Sequence, residues 1–177
     1  MNKIRLTSIA ALFLIFTAPK IEALETGGVS HDHRIAFGIG LHDVIQSQKL
    51  SEMVTVELRS APRFYTIRPV IGTWFSGNRA TYTYFSLRSE LGLSRLPLLF
   101  SINTGMGYYN RGDDIKLGHH LEFRSGFELY RRLDNDAMAG LAFHHMSNAG
   151  AGRHNPGTEI LTLFYDFPVG QIKTPAK

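Results

Sequence analysis

The stretch Leu121-Glu122-Phe123-Arg124-Ser125-Gly126-Phe127-Glu128-Leu129 decides the fold, because apolar and polar or small residues largely alternate in it with a period of two. Successive side chains of a β-strand point to opposite faces, so the stretch predicts a strand with one apolar face and one polar face. Residues 98–106 alternate in the same way, with Ser101, Asn103 and Gly105 on the polar face. Neither stretch has the apolar spacing of a helix.

The same period recurs along the rest of the chain and predicts eight strands. They cover residues 35–41, 54–59, 66–74, 80–91, 98–107, 120–129, 137–147 and 159–167. Eight strands of about ten residues are the sequence signature of the smallest outer-membrane barrels. We therefore expect an all-β chain that folds as an eight-stranded antiparallel transmembrane β-barrel of the bacterial outer membrane.

Charged residues on the polar faces indicate which face of the barrel points inward. Glu57, Arg59, Glu122, Arg124 and Glu128 would form ion pairs in a narrow lumen, which has too little room for the many Phe, Ile and Leu side chains. The apolar set is therefore expected to face lipid. A soluble, lipocalin-like barrel with the opposite orientation is the alternative.

The first 23 residues have the pattern of a secretory signal peptide. Lys3 and Arg5 precede an apolar run over residues 9–16, and Ala23 provides a small residue for cleavage. We expect residues 1–23 to be removed and residues 24–177 to form one barrel enzyme domain. An uncleaved anchor is the alternative, although the apolar run is shorter than a bilayer requires.

Composition argues against several classes of function. The chain has no cysteine, which excludes disulfides and thiolate chemistry. Its 19 Lys and Arg residues and 15 Asp and Glu residues give a formal charge of +4, partly carried by the leader, without a basic block. Nucleic acid is therefore not an expected partner. His31, Asp32 and His33 lie together, but no further ligand is evident, so we expect no metal and no other cofactor.

Connections of alternating length orient the predicted barrel. Segments 60–63, 94–96 and 132–136 are short, whereas 45–52, 110–116 and 148–158 are longer, with 76–79 as a short exception. Outer-membrane barrels have short periplasmic turns and longer outer loops, so segment 148–158 is expected outside the cell.

Several aromatic residues are candidates for interfacial girdles or for packing within strands: Trp74, Tyr82, Tyr84, Tyr108 and Tyr109.

Three residues with the chemistry of an activated nucleophile share one predicted outward face. His145 and Ser147 are two apart on strand seven, and Glu159 begins strand eight. Parity and cross-strand proximity therefore predict a Ser147–His145–Glu159 triad. Such residues are costly on a lipid-facing surface and are commonly functional there, although a chance grouping is the alternative. Asn148 and Gly150 are candidates for oxyanion stabilisation.

The run His145-Met146-Ser147-Asn148-Ala149-Gly150, followed by Asn155-Pro156-Gly157 and Glu159, resembles the PagL-type outer-membrane lipid A 3-O-deacylases. The resemblance implies an eight-stranded barrel with a His-Ser-Glu triad on its outer surface. It implies hydrolysis of the ester-linked 3-hydroxyacyl chain at position 3 of lipid A, with lipopolysaccharide as the source of the substrate. It also implies catalytic roles for His145, Ser147 and Glu159, oxyanion roles for Asn148 and Gly150, and a motif position for Asn155.

Other interpretations are left open by the sequence. A phospholipase or general esterase would use the same triad on the same scaffold. A non-enzymatic small barrel, used for adhesion or membrane integrity, would not require Ser147. A homodimer is also left open. Such barrels commonly end near a terminal aromatic residue, whereas here the segment 171–177 follows Phe167.

Overall fold

The computed structural model describes residues 32–62, 64, 66–93, 98–133 and 135–169. Its strands are β1 (Arg34–His42), β2 (Ser51–Arg59), β3 (Ile67–Ser76), β4 (Thr81–Leu93), β5 (Leu98–Asn110), β6 (Leu121–Arg132), β7 (Met138–Ser147) and β8 (Thr158–Pro168). Each strand pairs antiparallel with the next along the chain, and β1 pairs with β8 to close the barrel. The predicted eight-stranded antiparallel barrel is confirmed.

Some sequence predictions fall on other parts of the chain. The signal peptide at residues 1–23, the turn at 94–96, His31 and the segment 171–177 lie outside the described residues. The boundary between leader and mature domain therefore stays a prediction. Within the described residues, no helix is long and apolar enough to cross a membrane.

β5 and β6 are longer than the alternating pattern predicts. β5 continues to Asn110 and β6 to Arg132. The pattern fades where two aromatic residues follow each other at 108–109 and two basic residues at 131–132, but backbone pairing with the neighbouring strands continues. Hydrogen bonding between strands, rather than side-chain polarity, determines where these strands end.

The interior is polar and the exterior is apolar, as the charged residues predicted. Glu57, Arg59, Glu122, Arg124 and Glu128 are buried inside the barrel, and four of them form the predicted ion pairs. Glu122 forms no ion pair among the described residues, so that part of the prediction is wrong. Arg59, for example, donates hydrogen bonds to Glu57 at 2.5 Å and to Asp166 at 2.7 Å. The outward positions carry half-exposed apolar side chains, including Phe37, Ile39, Val54, Leu58, Phe127 and Leu141. The alternative of a soluble barrel with an apolar interior is therefore wrong.

Four of the five aromatic residues proposed for interfacial girdles lie inside the barrel instead. Trp74, Tyr82, Tyr84 and Tyr109 are at most 3% exposed, whereas Tyr108 faces outward with 61% exposure. Trp74 packs in tilted geometry against Tyr82 and against Tyr109, with ring centroids 6.0 Å apart in each pair. Packing within the lumen, the other interpretation, explains the four buried rings.

The β5–β6 loop plugs one end of the lumen. Its Ile115 and Leu117 are buried against the aromatic cluster, and its Asp114 accepts hydrogen bonds from Ser76 at 2.7 Å and Ser51 at 3.1 Å. Asp114 also pairs with Nδ1 of His42 at 3.2 Å. Burial opposes the charge of Asp114, but the hydrogen bonds from His42 and Ser76 outweigh it and lower the pKa of the carboxyl. The loop is thereby fastened to β1, β2 and β3.

Candidate active site

His145 and Glu159 meet on the outer face of the barrel. The β7–β8 ladder pairs them directly, and Nδ1 of His145 donates to Oε1 of Glu159 at 3.0 Å. The imidazole side chain is 48% exposed and the carboxylate 14% exposed. Among the described residues, no donor contacts Oε2 of Glu159. Because an ionised carboxylate only accepts, Nδ1 carries the hydrogen and Nε2 is left as an acceptor.

Ser147 shares the outward face of His145 but does not bond to it. It is the last residue of β7, and the described residues show no hydrogen bond between its hydroxyl and the imidazole. Residues two apart on a strand are separated by about 6.6 Å along its axis, a gap that rotation of both side chains narrows. Catalytic hydrogen bonds are often long before substrate binds. The site is thus a formed His145–Glu159 pair with a nearby hydroxyl.

A second hydroxyl, which the motif did not single out, faces His145 from β6. Ser125 pairs with His145 across the β6–β7 ladder and is exposed. Side chains that face each other on neighbouring strands have Cβ atoms about 4.5–5.5 Å apart, which is closer than two residues along one strand. The sequence contains a sign of this residue, because Ser125 interrupts the apolar series at the outward position between Phe123 and Phe127.

Asn148 holds together the turn that follows β7. Its buried Nδ2 donates to the carbonyls of Leu117 and His154, each at 2.8 Å. Its Oδ1 accepts the N–H of Gly150 at 2.9 Å. Its own backbone N–H donates to Oδ1 of Asn155 at 3.0 Å. The polar groups of Asn148 are therefore engaged within the loops of the free protein.

The backbone of this turn is left-handed at two successive residues. Ala149 has φ of 51° and Gly150 has φ of 85°. The turn closes where the N–H of Ala151 donates to the carbonyl of Asn148 at 2.9 Å. The N–H of Ala149 has no hydrogen-bond acceptor among the described residues. It is consequently an unpaired backbone donor at an exposed residue two positions after Ser147.

An apolar groove of about 740 Å³ lies on the outer face below the pair. Leu161 and Leu163, the first two outward residues of β8 after Glu159, form part of its wall. It extends across β1, β2 and β3, where its lining includes Ile39, Leu41, Val54 and Phe75. Its mainly apolar lining suits a hydrocarbon chain.

Metal ligands do not gather in the part of the chain that the structure describes. No three His, Asp or Glu side chains there are positioned to hold an ion. His144, beside His145 in sequence, faces the lumen, where Arg124 donates to its ring at 2.9 Å. The two adjacent histidines therefore lie on opposite faces and cannot bind one ligand together.

A family model described as lipid A 3-O-deacylase (PagL) matches residues 53–168, a segment that contains His145, Ser147 and Glu159. The chain belongs to this family. Its members are lipid A deacylases, hydrolases with an outer-membrane β-barrel, so the barrel described above is a transmembrane barrel of the bacterial outer membrane. The resemblance noted in the sequence is confirmed.

Solved structures that are similar to the barrel include a natural enzyme and a designed protein. The crystal structure of the outer membrane enzyme PagL has 19% sequence identity and a TM-score of 0.57, covering 77% of this chain and 99% of that chain. A transmembrane β-barrel from de novo design has 10% identity and a TM-score of 0.54, covering 79% and 98%. At these identities the likeness shows the fold alone. Direct comparison with curated proteins finds no match.

Proposed function

We propose that this chain hydrolyses the ester-linked 3-hydroxyacyl chain at position 3 of lipid A by a Ser-His-Glu mechanism. The observation that carries the proposal is the 3.0 Å hydrogen bond between His145 and Glu159 on a surface that is mostly apolar. An imidazole–carboxylate pair contributes nothing to packing against lipid, and ionisable groups in such places are usually functional. Membership of the deacylase family supplies the reaction class.

Acylation uses the three residues in distinct roles. The hydroxyl oxygen of Ser147 attacks the ester carbonyl carbon while Nε2 of His145 takes its proton. Glu159 keeps the ring in the tautomer whose Nε2 accepts, and it stabilises the imidazolium that forms. The bond from the carbonyl carbon to the sugar oxygen then breaks, and that oxygen takes the proton from His145. A 3-hydroxyacyl ester remains on Ser147.

Deacylation repeats these steps with water as the nucleophile. His145 takes a proton from the water and returns one to Ser147, and the 3-hydroxy fatty acid leaves. The negative oxygen of each tetrahedral intermediate needs hydrogen-bond donors. The N–H of Ala149 supplies one, and the N–H of Gly150 supplies a second by exchanging its bond to Asn148. Asn148 and Asn155 hold the turn that presents both donors.

The surroundings of the site support a membrane lipid as substrate. The acyl chain lies in the apolar groove that starts at Leu161, so its ester bond reaches His145 without leaving the membrane surface. The β7–β8 loop belongs to the end of the barrel with the longer loops, which faces outward in outer-membrane barrels. The active site therefore faces the outer leaflet. All proposed catalytic groups come from one chain, so the mechanism requires no homodimer.

The decisive experiment is mass spectrometry of lipid A from a lipopolysaccharide-producing host that expresses the wild type, Ser147→Ala or Ser125→Ala. The proposal expects loss of one 3-hydroxyacyl chain with the wild type and with Ser125→Ala, but not with Ser147→Ala. Loss with Ser147→Ala and not with Ser125→Ala would assign the nucleophile to Ser125.

The same experiment distinguishes the other functions. Intact lipid A together with loss of phospholipid acyl chains would show a phospholipase or general esterase. Intact lipid A and phospholipid, with barrels that are folded by heat-modifiable electrophoretic mobility, would show a non-enzymatic barrel.

A further inference from the structure

A pocket of about 340 Å³ lies at the loop end of the barrel, on the β6 side of the proposed nucleophile. Its charged and titratable lining consists of Arg111, Lys116, His119 and His120, and we call it the basic pocket. None of these four residues has a role in the chemistry described above. The pocket is separate from the apolar groove, which lies on β8, β1, β2 and β3.

The β5–β6 loop presents its cations to solvent and engages its carboxylates elsewhere. Asp114 is buried at the lumen mouth, and the exposed Asp113 pairs with Arg79 of the β3–β4 turn. Arg111 and Lys116 are exposed, and neither forms a salt bridge among the described residues. The basic pocket therefore contains two cations without an ion-pair partner among the described residues, although Asp113 on the same loop offsets part of the charge of Arg111.

The two histidines of the pocket are fixed by backbone hydrogen bonds. Nδ1 of His119 accepts the N–H of Leu121 at 2.9 Å, so the neutral ring carries its hydrogen on Nε2. Nδ1 of His120 pairs with the carbonyl of Tyr109 at 3.0 Å, and its ring stacks on Tyr108 with centroids 5.1 Å apart. His119 consequently offers the N–H of Nε2 as a donor.

One wall of the basic pocket is in direct contact with the turn that follows Ser147. The carbonyl of Leu117 accepts from Asn148 at 2.8 Å, and Gly118 packs against the backbone of His154 so closely that a Cβ would meet its carbonyl oxygen at 2.0 Å. Phe123, the register partner of Ser147 on β6, is four residues after His119. His119 and Phe123 are therefore at most about 13 Å apart along the strand direction.

The height of the basic pocket matches the headgroups of a bilayer. The outward apolar series of β6 begins at Leu121, immediately after His120, and continues with Phe123 and Phe127. The hydrocarbon boundary therefore lies near Leu121, and the pocket lies just above it. Cations at that level meet the anionic groups of lipids, and an arginine fork with a lysine and an N–H donor suits phosphate.

We propose that the basic pocket binds a phosphate group on the sugar headgroup of the lipid whose ester Ser147 attacks. This inference rests on the proposed function, because lipid A carries phosphate on the same kind of glucosamine ring that bears its ester-linked chains. Arg111 binds two phosphate oxygens, Lys116 adds charge, and His119 donates from Nε2. Capture of the phosphate holds the sugar ring beside the nucleophile, while the acyl chain is held in the apolar groove.

The test compares the kinetics of full-length enzyme in detergent micelles on lipid A and on 1-dephosphorylated lipid A. Arg111→Gln and Lys116→Gln each remove one cation from the basic pocket, and Lys49→Gln removes an exposed cation from the β1–β2 loop as a matched control. We expect each pocket variant to raise KM for phosphorylated lipid A about three- to fivefold, as for a solvent-exposed ion pair. KM for the dephosphorylated lipid and kcat for both lipids should stay unchanged, and Lys49→Gln should behave as wild type.

Several results would overturn this inference. Equal KM values of the wild type for the two lipids would show that phosphate is not recognised, and an equal effect of Lys49→Gln would show a general effect of charge. A third result would be that inorganic phosphate inhibits hydrolysis of the dephosphorylated lipid, while KM is no lower for the phosphorylated lipid. That result would assign the pocket to soluble phosphate.

Failure of the proposed function gives a different result, namely no hydrolysis of either lipid by the wild type. Sedimentation with phosphatidylcholine vesicles that contain either lipid A then tests the pocket by itself. Preferential binding of the wild type to phosphorylated vesicles, lost in Lys116→Gln, would support the inference. Equal binding to both kinds of vesicle would overturn it.

Discussion

Gly157 lies directly against the imidazole of His145. A β carbon at position 157 would stand 2.7 Å from Cε1 of His145 and 3.4 Å from Nε2, and the backbone there is left-handed with φ of 69°. The chain that returns to β8 therefore covers one side of the ring, while Glu159 holds its Nδ1. Together these two contacts fix the direction of Nε2.

Replacing Gly157 with alanine should reduce kcat about 10- to 100-fold with little change in KM, because a displaced general base loses its alignment with the nucleophile. The left-handed backbone adds a cost of about 1–2 kcal/mol to the stability of the loop. Steady-state kinetics on micellar lipid A measure the effect, and electrophoretic mobility before and after heating checks that the barrel is folded. A kcat within twofold of the wild type would show that the ring has room to move.

Glu159→Gln keeps the shape of the side chain and removes its charge. We expect kcat to fall about 10²- to 10⁴-fold, because the imidazolium formed during acylation loses its counter-charge and the tautomer is no longer fixed. Asp136→Asn, which changes an exposed carboxylate at the opposite end of the barrel, is the matched control and should retain activity. Equal kinetics of Glu159→Gln and wild type would remove Glu159 from the mechanism.

The apolar groove should select the length of the acyl chain that is removed. Val54 is 56% exposed and lines the groove, so Val54→Trp fills part of it with a residue that lipid tolerates. We expect the ratio of kcat/KM for long over short acyl chains to fall about 10-fold, because a few methylene groups of the long chain lose their contacts with the groove. Ile102→Trp, outward on β5 and outside the groove, should leave the ratio unchanged. An identical shift in both variants would point to a general effect on the membrane surface.

Asp114 should make the loop plug sensitive to acid. Its pKa is lowered in the folded protein, so its contribution to stability is present above the unfolded-state value and is lost as the pH falls through the folded-state value. Asp114→Asn should cost about 1–3 kcal/mol at neutral pH, because buried partners lose charged hydrogen bonds. Thermal unfolding of both proteins should show this difference shrinking at pH values below the usual range of an aspartate. A difference that is constant with pH would contradict a charged Asp114.

Parity along the strands is what made the outer face predictable from sequence. His145 and Glu159 were placed on one face from alternation alone, and the structure pairs them across the ladder. The face to which Tyr82 and Tyr84 point is harder to predict, because aromatic residues suit both a packed lumen and a membrane interface. Phe85, on the other face of β4, gives that face an aromatic residue as well. Only the closed register assigns each ring to its side.

Contacts between loops were beyond the sequence pattern. Asn148 was an oxyanion candidate because it follows Ser147, and that role stays a prediction. Its bonds to Leu117 and His154 depend on how the β5–β6 loop folds over the lumen, and no period in the sequence encodes this. The same holds for Ser125, whose importance lies in its cross-strand neighbour His145 and not in a motif of its own.

The ion pairs inside the barrel have a consequence for the cell that carries it. Asp166 joins Arg34 to Arg59, Glu128 accepts from Arg88 at 2.7 Å, and all of these side chains are buried. Breaking any one pair would leave an uncompensated charge in the interior, so the paired side chains hold one another in place across the lumen. Each copy of the protein is therefore expected to keep its shape while the lipid around it in the outer membrane of the cell is remodelled.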